Sequence, residues 1–203
     1  NELEKMGYKN MSVLRSYYIR EKNYPSGASD KYSCDVSFIG HFENDGRDEL
    51  LKALIEQGIN FRLYGTLWQN SKHYNLFEKN MRGAVVPVYE EYNSAIQSSK
   101  ISLVFLSKSN SDTDTRRCFE IPATKTFMLC EYTKDMDSLF QEGVDAEYFR
   151  NEEELISKVR YYLIHERERK KIALSGYERL LKDQHEVTDR AGEVLSVYKG
   201  ISK

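Results

Sequence analysis

Five short apolar runs alternate with helical stretches along this chain, and that alternation leaves little choice of fold. The runs are Asp35 to Ile39, Asn60 to Tyr64, Ile101 to Ser107, Thr126 to Cys130 and Ala146 to Phe149. Segments this short and this apolar read as strands covered on both faces, the condition of a parallel sheet. Between them, Arg47 to Gln57 puts Leu50, Leu51, Leu54 and Ile55 on one face and stops at Gly58, a helix with its terminator. Tyr89 to Ser99 and Asp135 to Glu142 read as further helices, and another opens at Glu120. From Asn151 onward everything reads as helix. Asn151 stands before Glu152, Glu153 and Glu154, an N-cap followed by an acidic first turn. Two last helices, Glu166 to Gln184 and Glu186 to Tyr198, carry charged, solvated faces. The stretch Thr66 to Val88, with Trp68 and His73, reads as loop. The spacing therefore predicts an α/β fold, a Rossmann-like, doubly wound parallel sheet with right-handed crossovers and C-terminal helices.

Before the first strand the pattern changes. Residues 1–31 read as a leader that ends in a linker, Pro25-Ser26-Gly27-Ala28-Ser29-Asp30, and residues 32–203 as one domain. Within the leader, Met11, Leu14, Tyr17 and Tyr18 recur at helical spacing, so Lys9 to Glu21 is expected to form a helix, a remnant of another lobe packed on the domain. A chain of 203 residues is the length of a single domain, for which about 100–200 residues is usual.

Charge and composition exclude several classes. The net charge is −2, with 31% of residues charged and 40% hydrophobic, so there is no basic excess to suggest nucleic acid. No apolar stretch approaches the ~20 residues a membrane span needs. The opening NELEKMGYKN lacks the basic-then-apolar order of a signal peptide. Three cysteines, Cys34, Cys118 and Cys130, are an odd count without C-x-x-C spacing, which reads as buried free thiols in a reducing cytoplasm rather than as metal ligands.

The most informative stretch runs from Asn110 to Glu131. It leaves the carboxyl end of the Ile101 strand as a polar loop and enters a helix at Glu120. Ligands of open α/β sheets settle outside those carboxyl ends, where helix N–H groups receive phosphate. Asp112 and Glu120 stand in a D-x7-E relation across this loop. Arg117 is suited to neutralising a diphosphate, since a guanidinium fork matches its oxygens, or else it pairs with Asp114. Glu120 either binds ligand or complements a helix start. Arg47 opens a helix, an unfavourable place for a cation unless an anion lies beside it. Gly40 and Gly65 each follow a strand, as turn residues or as points where phosphate approaches the backbone. Tyr64 and Trp68 either stack on a base or sugar or simply pack.

The segments CDVSFIG (Cys34 to Gly40), RLYG (Arg62 to Gly65), N-x-D-x-x-T-x-R-x-F-E-I-P-A (Asn110 to Ala123), LFQEG (Leu139 to Gly143) and the helix NEEELISKVRYYL from Asn151 together resemble the CgeB-like, spore-maturation type glycosyltransferases of the GT-B group. The likeness covers roughly Tyr32 to Tyr198. It implies the C-terminal, donor-binding lobe of a GT-B enzyme that takes a nucleoside-diphosphate sugar and passes the sugar to an unknown acceptor. Asp112, Arg117 and Glu120 would then be catalytic, and Gly40, Arg47, Tyr64, Gly65, Asn110, Thr115 and Glu120 would hold the donor. The acceptor side would belong to an N-terminal lobe outside this chain, and the start at Asn1, without Met, fits a chain cut from a longer enzyme. One departure stands out: relatives tend to have Gly where this chain has Lys125.

Two other readings compete. Asp112-Thr113-Asp114 is a D-x-D pair of the kind GT-A glycosyltransferases use to hold Mn²⁺, because hard cations favour clustered carboxylates. Arg116 and Arg117 already supply positive charge there, and GT-B relatives work without metal, so no cofactor is expected. The alternative to an enzyme is a non-catalytic nucleotide-binding or protein-interaction module of the same fold, because fold does not fix activity.

Overall fold

The computed structural model describes residues 5–8, 11–80 and 90–201. Five strands, β1 (Cys34–Ile39), β2 (Phe61–Tyr64), β3 (Ser99–Val104), β4 (Met128–Glu131) and β5 (Glu147–Phe149), form one sheet in the order β2-β1-β3-β4-β5. Every pairing is parallel, with Val36 opposite Phe61 on one side and Ile101 on the other. The predicted sheet is thus present. Its strand order reverses between β1 and β3, and the crevice at that switch point is where such folds bind ligands.

Side chains alternate across the sheet, and both faces are buried. One face carries Phe38, Leu63, Leu103 and Leu129 against Leu51 and Leu54 of α1 (Arg47–Glu56) and Leu155 and Val159 of α6 (Glu152–Ile164). The other carries Tyr64, Val104, Cys130 and Tyr148 against Ile96 of α3 (Glu90–Gln97), Phe119 of α4 (Arg117–Ala123), Met136 of α5 (Lys134–Leu139) and Leu180 of α7 (Glu166–Lys182). Two buried faces explain why the strands read as continuous apolar runs. Asn151 caps α6 as expected, its side chain accepting from the Glu154 N–H at 2.9 Å. A last helix, α8 (Val187–Ile201), ends the described chain.

Three expectations need correction. First, α4 opens at Arg117 rather than Glu120, because the N–H groups of Phe119 and Glu120 are already taken by the Arg116 carbonyl, each at 2.9 Å. Second, the described part of the expected Lys9 to Glu21 helix, from Met11 on, is not helical. Its backbone bonds outward instead: the Tyr18 N–H donates to the His185 carbonyl at 3.2 Å and the Tyr18 carbonyl accepts from Val187 at 3.0 Å. Tertiary pairing overrides the apolar spacing here. Third, the stretch from Thr66 contains a 3-10 turn, Trp68–Asn70, and a helix, α2 (Tyr74–Asn80). Residues 81–88 of that stretch, and Tyr89 of the expected Tyr89 to Ser99 helix, lie outside the described residues. The presumed linker is anchored, since Ser26 and Gly27 both donate backbone N–H groups to Gln97 Oε1.

Candidate functional site

Two loops meet at the switch point. The first follows β1 from Gly40 to Gly46, and the second follows β3 from Phe105 to Arg116. They are tied together by Ser107 Oγ donating to Glu43 Oε2 at 2.6 Å and by Lys108 Nζ donating to the Asp45 carbonyl at 2.7 Å. Within the second loop Ser111 has φ +53, the left-handed region, and the Asp112 N–H turns back onto the Ser107 carbonyl at 3.0 Å. Asp112 is half-buried and lines a groove of ≈580 Å³ with Leu106, Ser107, Glu131, Tyr132 and Arg150.

The arginines behave differently from each other. Arg47 is 2% exposed. Its Nε and Nη2 grip both oxygens of Asp45 at 2.9 and 2.7 Å, and Nη1 donates to the His41 carbonyl at 3.0 Å. Glu43 adds a second carboxylate at 3.3 Å. The anion that a cation at this helix start requires is therefore supplied by the chain itself. Arg117 is half-buried, and its Nε is buried without a hydrogen-bond partner. Both guanidinium carbons approach the Phe38 ring, at 6.0 Å for Arg47 and 5.9 Å for Arg117. The two cations thus flank the end of β1.

Glu120 is 9% exposed, and both its oxygens have partners. The Tyr92 hydroxyl donates to Oε2 at 2.6 Å, and Arg116 pairs with Oε1 at 2.9 Å. Burial, followed by the neighbouring Glu120, drives the Tyr92 phenol far above its ordinary pKa, so Tyr92 is the donor in this bond. Thr115 is half-buried and gives its carbonyl to the Cys118 N–H. Asn110 is exposed at the loop tip.

The remaining expected residues sit in the protein's own packing. A Cβ on Gly65 would lie 1.9 Å from the Gly40 carbonyl oxygen, and one on Gly40 would meet the Phe38 ring at 2.6 Å. The two glycines let β1 and β2 end side by side, with the Gly40 N–H donating to the Tyr64 carbonyl. Tyr64 is 1% exposed and edge-on to Tyr32. Trp68 is fully buried among Phe38, Phe42 and Phe77, with its Nε1 donating to the Gly40 carbonyl at 2.9 Å. Asp114 turns away toward Arg15 at 3.3 Å.

Sequence reasoning missed Tyr92, Glu43, Asp45 and Glu131. Glu131 ends β4 and accepts from the Leu106 N–H at 2.7 Å, and burial raises its pKa above the usual carboxylate range. An acid directly after the TFMLC run, at a strand's carboxyl end, was the available signal.

A parallel sheet covered by helices on both faces, with loops meeting at its switch point, defines a class, the Rossmann-like α/β domains. The sequence narrows it: residues 47–196 match the profile of the glycosyl transferase-like family, and the chain belongs to that family. No curated protein matches the sequence. Among solved structures, sucrose-phosphate synthase from Thermosynechococcus elongatus is similar with a TM-score of 0.73 at 13% identity, over 94% of this chain and 52% of that one. Anabaena HepE in complex with UDP and glucose gives 0.72 at 10% identity, over 93% and 57%. The C-terminal domain of LpcC, a group 1 family glycosyl transferase from Francisella tularensis, gives 0.58 at 14% identity, over 84% of this chain and 99% of that domain. The chain spans about half the length of the first and second of these, and the likeness is one of fold: the Rossmann-like C-terminal lobe of GT-B enzymes. Among the described residues no helix is long and apolar enough to cross a membrane.

Proposed function

We propose that this chain is the donor-binding lobe of a glycosyltransferase that takes a nucleoside-diphosphate sugar, with an N-terminal lobe supplying the unknown acceptor. The observation that carries the reading is Arg117, whose buried Nε has no partner at the switch point while Arg47 nearby is saturated by its own carboxylates. A diphosphate at the loop ends satisfies that donor and receives charge stabilisation as it departs. Asp112, on the same loop, accepts from sugar hydroxyls, with Asn110 and Thr115 beside it. Glu120 faces the ribose. The motif segments favour the CgeB-like branch of the family. Binding is metal-independent, because Asp114, the second acid of the D-x-D pair, is committed to Arg15. Three buried free thiols suit a cytoplasmic protein.

A second reading, a non-catalytic module of the same fold, is favoured by one observation: both Glu120 oxygens are already occupied by Tyr92 and Arg116. Calorimetric titration with UDP, GDP, CDP, ADP and dTDP, alongside a sugar-transfer assay, separates the two. HepE was solved with UDP and glucose, so UDP is the first diphosphate to try. The expected result is that one diphosphate binds, and that transfer appears only when an N-terminal lobe is present. Absence of binding to all five would sink the donor reading.

A further inference from the structure

The segment before the first strand grips the donor loop from outside. Arg15 places its guanidinium fork on Asp135, at 2.6 Å to each oxygen, and reaches Asp114 Oδ2 at 3.3 Å. The Ser16 N–H adds a contact to Asp114 Oδ1 at 3.4 Å. Next along the segment, the Tyr17 ring lies 5.1 Å from the Arg116 guanidinium carbon, and Arg116 is the residue that pairs with Glu120. Tyr18 then enters the core at 3% exposure and is pinned by its backbone to residues 185 and 187. Thr113 joins the same Asp135 carboxylate, its hydroxyl donating to Oδ2 at 2.8 Å, and its carbonyl accepts from Thr133 Oγ1 at 3.0 Å.

These contacts fall on Thr113, Asp114 and Arg116, between Asp112 and Arg117, and touch neither of the two. Asp114 and Arg116 are held on the chain between them, so the loop cannot shift at one end independently of the other. We propose that residues 11–20 are a positioning strap for the donor loop, with Arg15 as the residue that sets where Asp112 and Arg117 stand. This rests on the donor-site reading above. The geometry is that of a clamp rather than a surface ion pair: a bidentate fork bridges two carboxylates on separate elements, the loop after β3 and the first turn of α5. Arg15 accordingly holds the Asp135 carboxyl below its usual range. Such a strap cuts the cost of ordering the loop when a ligand binds, which is how rigid positioning raises affinity.

The test uses the whole chain and UDP, or whichever diphosphate of the panel binds. Arg15→Ala, Arg15→Lys and, as a remote control, Lys170→Ala are compared by amide hydrogen exchange without ligand and by calorimetric titration. In Arg15→Ala, exchange across residues 107–116 rises and affinity drops about tenfold, within the range that slight misplacement of a site produces. Arg15→Lys keeps the charge but not the fork, so it recovers part of the affinity. Lys170→Ala changes neither. Unchanged exchange in Arg15→Ala overturns the strap, and raised exchange with unchanged affinity overturns its positioning role. If Arg15→Ala does not fold, Asp135→Asn, which leaves Arg15 its contact with Asp114, is read by the same two measurements. If the unmodified chain binds no diphosphate, the donor reading fails, while exchange in the ligand-free protein still decides whether the strap holds the loop.

Discussion

Tyr92 and Glu120 are joined by a 2.6 Å hydrogen bond across 28 residues of sequence, from α3 to α4. The bond holds one oxygen of the Glu120 carboxylate, and Arg116 holds the other at 2.9 Å. Glu120→Gln keeps the shape and removes the charge. If Glu120 accepts from the donor's ribose, it loses a charged hydrogen bond of ~1.5–3 kcal/mol, so nucleotide affinity falls by about tenfold or more. Titration of both proteins with the best diphosphate gives the answer. Equal affinities would mean that Glu120 serves only Tyr92 and Arg116.

Arg47 offers the opposite case. Its side chain is 1% exposed and that of its partner Asp45 is 3% exposed. Arg47→Ala leaves Asp45, with Glu43 beside it, buried without a counter-charge, and breaking such a pair costs about 3–5 kcal/mol. The expected outcome is a large drop in the urea midpoint, with or without nucleotide. A variant of normal stability that no longer binds nucleotide would transfer Arg47 from scaffold to ligand site.

The strands were legible because a doubly covered parallel sheet demands unbroken apolar runs, and β1 through β5 supplied them. The start of α4 was not legible, since its N-cap Arg116 makes no side-chain capping bond. Nor was the role of Tyr92, because no local pattern links α3 to α4 across such a separation. Asp45 was closer to hand: an acid two residues before a helix-opening arginine is the nearby anion that charge logic requires. Lys125 shows the limit of reading a motif by resemblance. It adopts φ +60, a conformation that favours glycine. Yet it lies just before β4, at the amino ends of the strands and away from the candidate crevice, with its Nζ over the Tyr177 ring at 4.6 Å.

His185 gives the chain an acid-sensitive point. It is 5% exposed between Phe119 and Phe140, and its Nε2 has no hydrogen-bond partner. Burial first, then the positive charges of Arg190, Arg15 and Arg179, lower its pKa from 6.5 to about 4, against a weaker upward pull from Asp183. The unfolded chain therefore takes up the proton before the folded one does. The stability that comes from keeping His185 neutral is present above pH 6.5 and is lost as pH falls toward 4. At ~1.4 kcal/mol per unit, the full loss is about 3 kcal/mol. His185→Gln retains a polar partner for Arg190 and cannot titrate there, so its melting temperature should fall less over this interval than that of the parent. Parallel melting curves at stepped pH would rule out the assignment if both fell together.

Arg117 is where scaffold and ligand roles separate most cleanly. Its contacts with the protein are modest: a position over Phe38 and a buried Nε that donates to nothing. Arg117→Ala thus forfeits a cation–π contact of about 0.5–2 kcal/mol and in return removes an unsatisfied buried donor, whose desolvation costs ~1–3 kcal/mol. These terms oppose each other, so the melting temperature should stay close to that of the parent. Nucleotide binding should not. A guanidinium facing a diphosphate makes charge-assisted bonds of ~1.5–3 kcal/mol, and its loss lowers affinity by about tenfold to a hundredfold. The effect should be larger for the diphosphate than for the corresponding nucleoside, which lacks the group that Arg117 meets. Titrating both ligands into both proteins reads out that difference. Equal losses for nucleoside and diphosphate would place Arg117 elsewhere than at the phosphates, and a collapsed melting curve would make it part of the scaffold.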